Sequence, residues 1–141
     1  MTGRDQRGSL AIEFVLLVPV LMLLFGVVVG GARVWLARGA VEQAAAAGAR
    51  AASSERSLAE AERAGRDLAM AQADTNGLRC ARFSVQVDAS TLAQDAGTAG
   101  HVRASVSCLV PLADVLVPGW PGTIDVSAEA TAVVDRYRGR K

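Results

Sequence analysis

The sequence predicts an α+β fold: a long N-terminal transmembrane helix continuing as a stalk, a second helix, then a small antiparallel sheet of about three strands. Three observations carry this. Residues 14–32 hold no charge, residues 33–52 are alanine-rich at helical spacing, and beyond Thr75-Asn76-Gly77 the apolar period drops to two. The divisions expected are a short basic cytoplasmic N-terminus or leader (1–13), a transmembrane helix (14–32), a helical stalk (33–52), an extracytoplasmic α+β domain (53–135) and a basic tail (136–141).

The run FVLLVPVLMLLFGVVVGGA lies between Glu13 and Arg33. As a helix it spans about 29 Å, close to the thickness of a bilayer's hydrocarbon core. Pro19 is tolerated there because neighbouring groups and local geometry can satisfy the freed carbonyl. Gly26 and Gly30 make a GxxxG spacing that admits a second helix closely; alternatively, glycine is simply common in membrane helices. Arg4 and Arg7 before the span favour a cytoplasmic N-terminus, but Arg33, Arg38 and Arg50 follow it, so positive charge alone leaves orientation open.

Continuing outward, Val34, Ala37, Val41, Ala45, Gly48 and Ala52 recur at helical spacing. Alanine favours helix, so the membrane helix extends as a stalk. Trp35 suits an interfacial anchor or packs against the domain. Ser53 and Ser54 interrupt the pattern. Ser57 and Glu60 fit a capping box opening a second helix. Its expected apolar stripe is Leu58, Ala61, Gly65 and Leu68, with ion pairs Glu62–Arg66 and Arg63–Asp67 on the solvent side. Glu60, Glu62 and Asp67 read as a solvated face, not as catalytic carboxylates.

After the turn at Thr75-Asn76-Gly77 come three alternating segments: Phe83, Val85, Val87; Val102, Ala104, Val106, Cys108; and Ile124, Val126, Ala128, Ala130. Half-buried strands follow, arranged as an antiparallel meander against a helix. The segment LVPLADVLVPGWPG near the end of the second strand either docks a partner or membrane surface, or covers the sheet edge with Val115, Leu116 and Trp120 turned inward.

Cys80 and Cys108 are the two cysteines. In an oxidising compartment they form a disulfide; in the cytosol they stay reduced. A bridge places the domain outside the cell, in agreement with an inside N-terminus. The 89–99 loop would set Cys80 opposite Cys108, although Cys80 has the wrong parity for a regular strand and must sit before it or beside a bulge.

The functions excluded are informative. A net charge of +1 gives no electrostatic footprint for nucleic acid. His101 is the single histidine, no CxxC spacing exists, and no Gly-rich phosphate loop is present. No catalytic residue, metal site or cofactor is therefore expected. The 141 residues leave roughly 105 outside the span for one small domain.

The most specific local feature is Arg7-Gly8-Ser9-Leu10-Ala11-Ile12-Glu13-Phe14. A carboxylate at the mouth of an apolar run needs the interface or a cation. This pattern, with GSLAIEFVLLVPVLMLLFGVV and the small-residue helix ARVWLARGAVEQAAAAGARAA, resembles type IV pilin-like proteins, and among them the TadE-like family of tight-adherence pilus assembly proteins. The resemblance covers roughly residues 7 to 52. It implies that Gly8 ends a leader, that Ser9 becomes the new N-terminus, and that Glu13 pairs with a free amine during assembly. Ser9 departs from the large apolar residue usual after that glycine. The partners implied are the lipid membrane, other pilus-assembly membrane proteins and a prepilin-type peptidase. The location implied is the plasma membrane, crossed once.

Two other classes stay open: a bitopic protein whose head binds a ligand or partner, and a secreted protein cut from a signal peptide near Gly30 and Ala32.

Overall fold

The computed structural model describes residues 7–94, 100–115, 119 and 122–134, with side chains from residue 12 onward. The basic tail, Arg4, Leu116 and Trp120 lie outside the described residues. Helix α1 runs unbroken from Arg7 to Ser54 with Pro19 inside it, α2 from Leu58 to Thr75, and the strands are β1 (Arg82–Asp88), β2 (Gly100–Pro111) and β3 (Thr123–Val134).

The fold has two layers. The sheet is an antiparallel meander in the order β1-β2-β3. One face is covered by the outer half of α1, which crosses β2 and β3, and by α2, which lies beside it and over β1. The alternation read in the sequence is the alternation found. Val102, Ala104, Val106, Cys108 and Val110 point inward from β2 and are buried. In one cross-strand row Val85 faces Val106, which faces Ala128.

Alanine and valine dominate this core; Leu112 and Val41 are its bulkiest fully buried side chains. Small residues compensate by letting backbones come close. On α1 the buried face is Ala37, Val41, Ala44, Ala45, Gly48, Ala49 and Ala52, so the expected stalk is embedded in the head along one side.

The stripe expected on α2 is corrected. Its buried residues are Ala61, Gly65, Ala69 and Ala73, whereas Leu58 and Leu68 are exposed. Size misled the reading. Two helices meeting at glycines have no room for leucine between them, so the i,i+4 row of small side chains faces inward. The expected ion pairs Glu62–Arg66 and Arg63–Asp67 do not close either; exposed pairs of this kind are worth so little that side-chain entropy competes with them.

Helix ends follow the local chemistry. Ser57 caps α2: its hydroxyl accepts from the Glu60 N–H at 3.3 Å and donates to Glu60 Oε2 at 2.8 Å. At the other end Gly77 adopts φ +65°. The Leu78 N–H donates to the Ala73 carbonyl at 3.0 Å and the Gly77 N–H to that of Asp74 at 2.9 Å. This is a Schellman ending, for which only glycine is unstrained.

The cysteines are bonded, Cys80 to Cys108, with Cα atoms 5.3 Å apart. Of the two placements expected for Cys80, the structure takes the one before the regular strand. Phe83, not Cys80, stands directly opposite Cys108. Cys80 lies before the regular strand, where the chain bends at Ala81 and the Ala81 N–H donates to the Leu109 carbonyl at 2.7 Å. That bend resolves the parity conflict and turns Cys80 toward the covered face.

Candidate functional site

The element that stands out is α1 itself. At about 1.5 Å per residue, a helix of 48 residues is roughly 72 Å long, and nearly half projects beyond the head. The projecting part has no polar face. Phe14 is 72% exposed, Leu16 69%, Met22 68% and Phe25 68%, and these side chains point in different directions around the axis. A helix apolar all round is either buried or in lipid; none of this helix's most apolar stretch is buried by the protein. It is long and apolar enough to cross a membrane.

Charges bracket the stretch. Glu13 and Arg33 are 20 positions apart, about 30 Å along the axis, the depth of a hydrocarbon core. Glu13 is exposed, nearly two turns into α1, and has no ion pair among the described residues. Gly8 and Ser9 lie in the first turn, so the segment from Gly8 to Glu13 is already helical. Gly26 is half-buried and Gly30 buried. Trp35 is 73% exposed just past the span, so it does not pack against the head.

Arg33 carries a contact invisible in the sequence. Its guanidinium meets Asp114 Oδ1 at 2.6 Å, across 81 positions of chain. The Arg33 N–H donating to this carboxylate holds the Asp114 pKa below its ordinary 3.8, helped by the backbone N–H of Asp114 itself. The loop after β2 is thereby tied to the first charged residue beyond the apolar run.

Residues 8–50 match the family model of TadE-like proteins. The matched stretch contains Gly8, Glu13, the apolar run and the first part of the packed face, and it ends before α2. TadE-like proteins are pilus-assembly components, and the likeness lies in the helix and not in the sheet. No curated protein and no solved structure matches the chain.

The remaining surfaces offer little chemistry. Among the described residues no cluster of His, Cys, Asp and Glu could hold a metal ion. His101 is exposed at the start of β2 and its carbonyl accepts from Thr91 Oγ1 at 2.8 Å. The uncovered sheet face is polar, with Ser84, Ser107 and Ser127 in one row and Gln86, Ser105 and Glu129 in the next. Ser84 and Ser107 hydroxyls lie 2.7 Å apart, and Arg103 pairs with Glu129 at 3.2 Å.

Proposed function

We propose that this chain is a non-enzymatic, single-pass component of a TadE-like pilus assembly or secretion system, acting as a minor pilin-like subunit or as an assembly factor. It sits in the plasma membrane with its N-terminus in the cytoplasm and its disulfide-linked head outside. The observation carrying this reading is one continuous helix that is lipid-like from Phe14 to Ala32, directly after Glu13, and ends packed against the sheet of the head.

Glu13 is the assembly residue in this reading. A carboxylate at the edge of lipid is held most cheaply by a cation, and the amine of Ser9, released by a prepilin-type peptidase cutting after Gly8, supplies one. Gly26, half-buried, then faces a neighbouring helix, whereas Gly30 is already covered by this chain. The test is Glu13→Gln in native cells. Assembly and co-isolation of partner membrane proteins should fall while the head folds unchanged; full co-isolation would refute the assignment. N-terminal sequencing from native membranes should begin at Ser9, and a start at Met1 or Thr2 would rule out cleavage.

A second reading, a bitopic protein with a ligand- or partner-binding head, draws on a shallow hollow of about 450 Å³ over Ser84, Ser107 and Glu129 on the open sheet face. It expects Glu13→Gln to change nothing and substitutions at those serines to abolish capture.

A further inference from the structure

The underside of the head, where it meets α1, forms an open groove of about 850 Å³. Its walls are α1 from Val29 to Ala40, the turn ending at Arg79, and the stretch from Val110 to Asp114. We propose that this groove seats a phospholipid of the outward leaflet. The proposal rests on the membrane-spanning reading of α1 and adds a ligand site to it.

Depth supports the assignment. Val29 lies about 6 Å below Arg33 along the helix and inside the uncharged run, so the groove opens into hydrocarbon. Arg33 marks the edge of the apolar run, and the headgroup layer above it is about 6 Å thick. The Arg33–Asp114 contact at 2.6 Å holds the loop at that level. An acyl chain can lie along Val29 and Ala32, with Leu36, 64% exposed, beside the glycerol backbone at headgroup depth. The phosphate then reaches the rim, where Arg79 is exposed and has no ion pair among the described residues. Arginine suits a phosphate at an interface because its planar fork offers several donors to it.

The occupant follows from continuity. The lower end of this groove is the same helix surface that lipid already coats, so lipid enters without displacing anything. A partner helix or a second copy would have to exclude it.

The experiment uses the full chain in nanodiscs of phosphatidylcholine and phosphatidylglycerol, loaded at one copy per disc, with acyl chains brominated near the headgroup. Three single-tryptophan proteins are compared: Trp120→Phe, which keeps Trp35; and Trp35→Phe/Trp120→Phe carrying either Ala113→Trp beside the groove or Ala93→Trp at the far end of the head. Quenching is expected at positions 35 and 113 and not at 93. Native mass spectrometry should find phospholipid retained on the wild-type chain and several-fold less on Arg79→Glu. Position 113 as dark to the quencher as position 93, with Trp35 quenched, overturns the groove and leaves the span standing. Trp35 unquenched overturns the span and the groove together. A lipid-free dimer in the mass spectrum assigns the groove to a second copy and also overturns the proposal.

Discussion

The backbone carbonyl oxygen of Gly65 stands 2.8 Å from the point where a β-carbon on Gly48 would sit. Reciprocally, a β-carbon on Gly65 would lie 3.0 Å from the Gly48 carbonyl and 3.1 Å from both Ala52 and Val87. The two helices touch backbone to backbone at this point, and the nearest atom to each added β-carbon is a carbonyl oxygen that cannot rotate away. Gly48→Ala and Gly65→Ala should each destabilise the head by about 1–3 kcal/mol, the usual cost of overpacking. Gly39→Ala, with nothing within 4 Å, should instead be neutral or gain up to about 1 kcal/mol from helix propensity. Denaturant unfolding of the three variants checks the opposite signs.

The Cys80–Cys108 bridge closes a loop of sequence separation 28 around a core with no large aromatic at its centre. Cross-linking should contribute about 3–4 kcal/mol in the chain-entropy picture. Reduction, or the paired change Cys80→Ser with Cys108→Ala, should lower the melting temperature clearly while leaving the strand register intact. Circular dichroism melts with and without reductant read this directly, and equal melting temperatures would contradict it.

Ser57 is the sole side-chain oxygen accepting from the first turn of α2 among the described hydrogen bonds. Ser57→Ala should cost about 1 kcal/mol and Ser57→Gly only a few tenths, since glycine leaves the cap position open to water. Hydrogen exchange at the Glu60 and Ala61 amides should rise in the alanine variant before exchange elsewhere does.

These cases divide what the sequence makes legible from what it does not. The span, the capping box, the glycine ending of α2 and the three strands each rest on local chemistry or on a strict period, so all can be read from neighbouring residues. The Leu58–Leu68 stripe fails because inward orientation on α2 was set by how close α1 comes, a distance fixed by Gly48 and Gly65 from different helices. The parity of Cys80 put it before the strand or beside a bulge, and the structure takes the first through a bend at Ala81 that no residue type announces. Arg33–Asp114 joins positions 81 apart, and nothing local marks either as the other's partner. At the candidate site, Glu13 and the apolar run were readable because solvation alone constrains them, whereas the groove exists only once the head is folded against α1.

The Arg33–Asp114 pair also sets a pH dependence. Arg33 donates to the carboxylate and so favours its charged form; the folded pKa of Asp114 is below its ordinary 3.8. A depressed carboxyl contributes where it is ionised, so the attachment of the loop is fully present above pH 3.8 and is lost as pH falls through the lowered value. Both side chains are substantially exposed, so salt should weaken the effect. Arg33→Gln should move the Asp114 titration back toward 3.8 without restoring it fully, because the Asp114 backbone N–H still favours the anion. Carboxyl carbon NMR across pH 2 to 6 measures the shift. At neutral pH, Asp114→Asn should speed amide exchange from Ala113 to Val115 while leaving the sheet protected, because the base of the loop stays closed by the Leu112 N–H donating to the Gly122 carbonyl at 2.8 Å. Identical titrations in wild type and Arg33→Gln would mean that the pair does not form in solution and that the loop is held to α1 by packing alone.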